Sequence, residues 1–70
     1  MNPVTLTLTE DQAGELYFAL TRSIISTNKM IESVYNKGKR KYAATIKFLE
    51  HDRDVIKSIQ NLIPESCIKF

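Results

Sequence analysis

The fold of this 70-residue chain is decided by residues 8–35, LTEDQAGELYFALTRSIISTNKMIESVY, a long amphipathic pattern with a clear start. Thr9 and Gln12 have the spacing of a capping box, in which each side chain accepts a hydrogen bond from the backbone N–H of the other residue. Apolar residues then recur at intervals of three and four, as on one face of a helix. They are Ala13, Leu16, Tyr17, Leu20, Ile24, Ile31 and Val34. This pattern predicts a first helix over residues 10–36.

A second apolar pattern follows Gly38 and predicts a second helix over residues 41–63. Its main stripe consists of Tyr42, Ile46, Leu49, Ile56, Ile59 and Ile63. Gly38 suits a left-handed cap after the first helix, and Pro64 ends the second because the residue before a proline is disfavoured in a helix. A short basic turn over residues 37–40 makes the two helices antiparallel. The chain is therefore predicted to be a single, mainly all-α domain over residues 1–70, a two-helix hairpin.

Both ends of the chain are predicted to be extended. Residues 4–8, VTLTL, alternate apolar residues with threonine, which is the period of a β-strand. A strand needs a neighbour for its backbone hydrogen bonds. That neighbour is either the same segment of a second subunit or the extended tail over residues 64–70, and packing of the segment over the helices is the alternative.

The small size of the chain favours self-association. A core of fewer than about 70–80 residues rarely supplies more than roughly 3–5 kcal/mol, and the single cysteine, Cys67, allows no internal disulfide. Two apolar rows with a spacing of seven lie beside the main stripes, and we predict that they join two copies into a four-helix bundle. Their members are Phe18 and Ile25 on the first helix and Phe48, Val55 and Leu62 on the second. Packing of one row under the terminal strands is the alternative.

The turn between the helices is the candidate site for a charged partner. It contains Lys37, Lys39, Arg40 and Lys41, and tyrosines flank it on both sides. Such a cluster can contact an acidic protein or the phosphates of a nucleic acid. The formal net charge of +2 is too small to indicate nucleic acid by itself. We therefore favour an acidic protein partner or a solvated turn.

The sequence argues against catalysis, cofactors and membrane insertion. It has one histidine and one cysteine, and no glycine-rich phosphate loop. The acidic cluster around His51 is interpreted as a solvated helix face without a metal, because only some of its members share a face. Asp52 and Arg53 interrupt the apolar stripe, so their partner is expected to be a polar group on the first helix or in a second subunit. No leader and no spanning apolar run are recognised, which predicts a cytoplasmic protein.

Residues 4–36 resemble the ribbon–helix–helix DNA-binding proteins, in which a period-two strand precedes two helices. The resemblance implies that residues 4–8 form a ribbon paired across a dimer, with Thr5 and Thr7 towards the major groove. It also implies a first helix over residues 10–24 and a second helix capped by Ser26 or Thr27. A DNA-binding transcriptional regulator is therefore the alternative function.

The alternating segment, the T-x-x-Q cap and the hairpin together are also similar to small accessory proteins of bacteriophages and mobile elements. This resemblance implies binding to a host or viral protein and assigns no site residues. Our main prediction is thus a small non-catalytic protein-interaction or regulatory module, of the phage accessory or inhibitor type, that acts as a homodimer on a protein partner.

Overall fold

The computed structural model describes residues 3–68, which form two long helices and one short helical turn. Helix α1 spans Glu10–Gly38 and helix α2 spans Ala43–Gln60. They run antiparallel and pack along their length, and a single 3-10 turn, Glu65–Cys67, returns to the start of α1. The predicted all-α helical hairpin is confirmed.

The start of α1 is fixed by the capping box that the sequence predicts. The backbone N–H of Gln12 donates to Oγ1 of Thr9 at 3.1 Å, and the N–H of Thr9 donates to Oε1 of Gln12 at 3.0 Å. Two of the donors that a helix start leaves without partners are satisfied in this way. Glu10 and Asp11 follow in the first turn, where negative charge favours the helix dipole.

The prediction that Gly38 forms a left-handed cap is wrong. No residue between positions 3 and 68 has a positive φ, and Gly38 is the last residue of α1. Lys39 follows in right-handed helical geometry, and the N–H of Tyr42 donates to the carbonyl of Gly38 at 3.0 Å. Since this bond satisfies the carbonyl, the chain needs no left-handed residue. The turn between the helices therefore occupies residues 39–42, two positions later than expected.

Helix α2 ends at Gln60, three residues before the predicted end. The N–H groups of Leu62 and Ile63 bond to carbonyls three residues back, at 3.0 and 3.1 Å, so the helix tightens into single turns. Pro64 is the physical reason, because it keeps Ile63 out of helical geometry.

The C-terminal tail is not extended throughout, as the sequence suggested. Glu65–Cys67 forms a turn of 3-10 helix, closed by a bond from the N–H of Cys67 to the carbonyl of Pro64 at 3.0 Å. Lys69 and Phe70, the last residues of the predicted extended tail, lie outside the described residues.

Residues 3–9 have no regular secondary structure, and the described part of the chain contains no β-strand. The strand predicted over residues 4–8 is therefore not shown. A strand requires a neighbouring segment for its hydrogen bonds, and its pairing with a second copy stays a prediction.

The molecule is a slab of 43 × 33 × 13 Å, one helix layer thick. Only five of residues 3–68 are buried, and none of their side chains is fully enclosed. They are Ala13, Gly14, Thr27, Ile46 and Cys67. The larger apolar side chains along the helix contact, such as Leu16 and Ile56, remain partly exposed. The hairpin thus has a contact line between two helices rather than an enclosed core.

Candidate interaction surface

The slab has two broad faces with different chemistry, one on each side of the line where α1 meets α2. The helical repeat of 3.6 residues assigns each exposed side chain to one of them. Of the ten exposed large apolar side chains in residues 3–68, eight lie on one face, which we call the apolar face. These are Val4, Leu6, Leu8, Met30, Phe48, Val55, Ile59 and Leu62. Ile25 and Tyr35 lie on the opposite, charged face.

The charged face carries exposed or half-buried charged side chains as well as Ile25 and Tyr35. Among them are Glu32, Lys47, Glu50, Arg53, Asp54 and Lys57. Surface grooves follow the same division of the molecule. Tyr35 shares a groove with Lys47 and Glu50, whereas Leu62 shares one with apolar side chains only.

The apolar face contains a groove near the chain ends. This groove of about 370 Å³ lies between the N-terminal segment and the end of α2. Val4, Leu6 and Leu8 form one wall, and Ile59 and Leu62 form the other. Val4 is 90% exposed and Leu62 is 81% exposed, so both walls of this groove are exposed to solvent.

On the charged face, polar side chains bridge the two helices. Nε2 of Gln60 on α2 donates to Oγ1 of Thr21 at 2.6 Å and to the backbone carbonyl of Tyr17 at 3.3 Å. The Thr21 hydroxyl itself donates to the same carbonyl at 3.0 Å. These three groups are partly buried, so each bond is worth more here than at an open surface.

Arg53 makes a second bridge between the helices, about two helical turns before Gln60 on α2. Its Nη1 donates to Oδ1 of Asn28 on α1 at 3.3 Å, and its Nε lies 3.4 Å from Oδ1 of the neighbouring Asp54. The prediction of a polar partner on the first helix is confirmed for Arg53 and stays a prediction for Asp52. The basic side chain that interrupts the apolar stripe therefore links α1 to α2.

The C-terminal turn closes the charged face against Gly14. A Cβ atom at Gly14 would lie 2.6 Å from the backbone carbonyl oxygen of Cys67, closer than Cβ atoms approach other atoms. This contact explains a glycine inside a helix, where it costs about 1 kcal/mol relative to alanine. Cys67 itself is buried, as expected for a cysteine that packs as a small apolar residue.

The structure does not bring the two predicted self-association rows together. Phe48, Val55 and Leu62 lie in line on the apolar face, all of them exposed. Ile25 lies on the charged face, and Phe18 is half-buried on that same side, with its ring edge-on to Tyr17 at 5.6 Å. Of the remaining members of the apolar face, Met30 and Ile59 were not predicted from the sequence as interaction residues, and Val4, Leu6 and Leu8 were predicted only as part of a strand. The alternation of Val4, Leu6 and Leu8 was the available signal for three of them.

Charge is separated along the slab. The four basic residues predicted as a contact site, Lys37, Lys39, Arg40 and Lys41, are exposed at the turn end. Nζ of Lys39 lies 5.2 Å from the ring centre of Tyr35, within cation–π range. The opposite end is acidic and carries Glu10, Asp11, Glu15 and Glu65.

Two other kinds of site are absent from the described residues, a metal site and a membrane-spanning helix. Between residues 3 and 68, no three His, Cys, Asp or Glu side chains converge on a point where a metal ion could sit. Neither α1 nor α2 has an apolar stretch of the length needed to cross a membrane.

Comparison with known proteins adds no relative. The chain matches no protein-family model, no curated protein and no solved structure.

Proposed function

We propose that this chain is a small non-catalytic protein-interaction or regulatory module that works by docking its apolar face on another polypeptide. The observation that carries this proposal is the concentration of eight exposed large apolar side chains on one face of the slab. Scattered apolar residues are normal on a protein surface, whereas a contiguous patch is typical of an interaction site.

The total surface of the chain supports the proposal. Its accessible surface is 5875 Å², whereas a monomeric globular protein of 8.0 kDa exposes about 4,450 Å². The excess of roughly 1,400 Å² exceeds the ~800 Å² that each partner buries in a standard protein–protein interface. A polypeptide docked on the apolar face would bring the exposed surface down to the ordinary value.

Individual side chains of this face have much to gain from burial. Phe48 and Leu62 are largely exposed, and fully burying a side chain of this kind is worth about 1.5–3 kcal/mol. The basic turn adds a preference for a partner with negative charge beside its apolar surface.

DNA binding of the ribbon–helix–helix type has less support. That resemblance implies a helix start at Ser26 or Thr27, but α1 continues through both positions. Thr27 is buried, and its hydroxyl donates to the carbonyl of Ser23 at 2.8 Å, as in a helix interior.

Photocrosslinking in cells that express the chain tests the proposal. A photoreactive phenylalanine analogue is placed at Phe48 on the apolar face and, as a matched control, at Ile25 on the charged face. We expect protein adducts from position 48 and few from position 25, because both sites are exposed but only one belongs to the docking surface. Adducts at equal yield from both positions, or none from position 48, would overturn the proposal. Adducts that nuclease treatment removes would overturn it in favour of DNA binding.

A further inference from the structure

We infer that the apolar face is covered by a second copy of this chain, turned antiparallel, so that the basic turn of each copy lies over the acidic end of the other. This inference rests on the proposed function and names its partner. Surface area, the apolar row on α2 and the distribution of charge each support it.

The contacts within the hairpin define which residues lie level with each other. Three pairs of facing residues are given by the structure: Gly14 with Cys67, Thr21 with Gln60, and Asn28 with Arg53. In each pair the two residue numbers add up to 81, so residue n of α1 lies level with residue 81 − n of the second half. Val55 is therefore level with residue 26 of α1.

The row Phe48, Val55 and Leu62 places the symmetry axis. A two-fold interface is self-complementary, so a row that crosses the axis packs on the same row of the other copy. A two-fold axis that lies between the two slabs, perpendicular to the helices and level with Val55, achieves this. It sets Val55 against Val55 of the other copy and Phe48 against Leu62 of the other copy. An axis parallel to the helices would leave the two rows in parallel instead.

Charge selects between these two axes. Rotation about the level of residue 26 carries residue n of α1 to the level of residue 52 − n, so Lys37 comes to lie over Glu15 of the other copy. Both residues border the apolar face, in grooves at opposite ends. The same rotation brings residues 39–41 over the first turn of α1, which contains Glu10 and Asp11.

The apolar row thus sets the register, and the charges select the antiparallel arrangement that is compatible with it. The parallel arrangement would bring the two basic turns together and the two acidic ends together, which costs free energy through like-charge repulsion. In the antiparallel arrangement, the basic turn of one copy faces the acidic end of the other at both ends of the dimer, so the charges attract each other.

The area matches a stable homodimer. Permanent homodimers bury about 2,000–5,000 Å² in total, or half of that on each subunit. The excess surface of roughly 1,400 Å² on this chain falls inside that range. Two layers of 13 Å stacked through their apolar faces form a four-helix bundle with an enclosed core, which the single slab lacks.

Sedimentation of the purified chain tests the partner and the face. We expect a dimer, and we expect Val55→Ser to raise its dissociation constant at least about tenfold. The substitution removes the buried Val55 side chain from both subunits, where the two valines would pack on each other at the axis. Ile25→Ser is the matched control, since it lies within one residue of the same level on the charged face, and it should change the constant less than about twofold. A wild-type chain that stays at 8.0 kDa up to its solubility limit would overturn the second copy as occupant. The crosslinking result at Phe48 would then judge the proposed function separately.

A charge exchange tests the register. Lys37→Glu alone and Glu15→Lys alone should each weaken the dimer about three- to tenfold at low salt, since each replaces two attractive pairs by repulsive ones. The double variant Lys37→Glu/Glu15→Lys should recover most of the wild-type affinity. A double variant as weak as the sum of the two single changes would overturn the antiparallel register, even if Val55→Ser still dissociated the dimer.

Discussion

The two faces of this hairpin are built by the same two helices, but contacts within the chain link the helices on the charged face and leave the apolar side chains of the other face exposed. On the charged face, Gln60 and Arg53 bridge to α1, and the C-terminal turn packs on Gly14. On the apolar face, the side chains of Phe48 and Leu62 remain open to solvent. Polar contacts therefore stabilise the hairpin on its charged face, whereas the apolar side chains of the other face would be buried only by association with another polypeptide.

Folding and association should therefore respond to different residues. Substitutions on the charged face should change the free energy of unfolding of the hairpin itself. Substitutions on the apolar face should change that free energy little in the isolated chain and should act on assembly. Substitutions on each face therefore test this division.

The largest expected effect on stability is that of Gly14→Ala. The added Cβ would lie 2.6 Å from the carbonyl oxygen of Cys67, so the C-terminal turn must move away from α1. We expect the free energy of unfolding to fall by about 1–3 kcal/mol, as in other overpacked sites, despite the better helix propensity of alanine. Urea unfolding followed by circular dichroism, at one fixed protein concentration, measures the change.

Gly38→Ala is the matched control for that variant. A Cβ at Gly38 would contact the Cβ of Lys41 at 3.5 Å and the ring of Tyr42 at 3.7 Å, which is ordinary packing. The same substitution should therefore raise the free energy of unfolding here, by up to about 1 kcal/mol. If both alanine variants were equally stabilised, the C-terminal turn would not pack closely against Gly14.

A smaller loss is expected from Gln60→Ala. This change removes two hydrogen bonds to partly buried groups, the Thr21 hydroxyl and the Tyr17 carbonyl. A typical intramolecular hydrogen bond contributes about 0.5–1.5 kcal/mol, so we expect a loss of roughly 1–2 kcal/mol in urea unfolding. Asn36→Ala removes an exposed amide from α1 and should stay within about 0.5 kcal/mol of the wild type. Equal effects of the two changes would mean that the Gln60 bridge does not stabilise the hairpin.

Local signals in the sequence predicted the parts of the fold that depend on neighbouring residues. The capping box needs only Thr9 and Gln12, and the structure contains both of its hydrogen bonds. A polar partner for Arg53, on the first helix or in a second subunit, could be predicted because a basic residue within an apolar stripe needs one. Gly38 shows the limit of such signals, since a near-helical turn satisfied its carbonyl in another way.

The faces could not be predicted, because they depend on how far each helix is rotated about the contact line. Periodicity identified the row at Ile25 and the row at Val55, but it carries no information on whether rows of different helices share a face. A glycine inside the helix indicated a close contact at Gly14, but its partner could not be predicted, because it is Cys67 at the far end of the chain. Such relations appear only when the tertiary structure is known.

The smallest expected effect on folding is that of Leu62→Ser, although it removes a large apolar side chain. Leu62 is 81% exposed, so the isolated chain loses little buried surface, and surface changes usually stay within about 0.5 kcal/mol. Urea unfolding in dilute protein should therefore resemble that of the wild type. At high protein concentration the two should diverge, because only the wild type gains stability by mass action from assembly. A loss in dilute protein as large as that of Gly14→Ala would contradict the division, because Leu62 would then belong to the hairpin's own packing and the apolar face would serve folding as well as association.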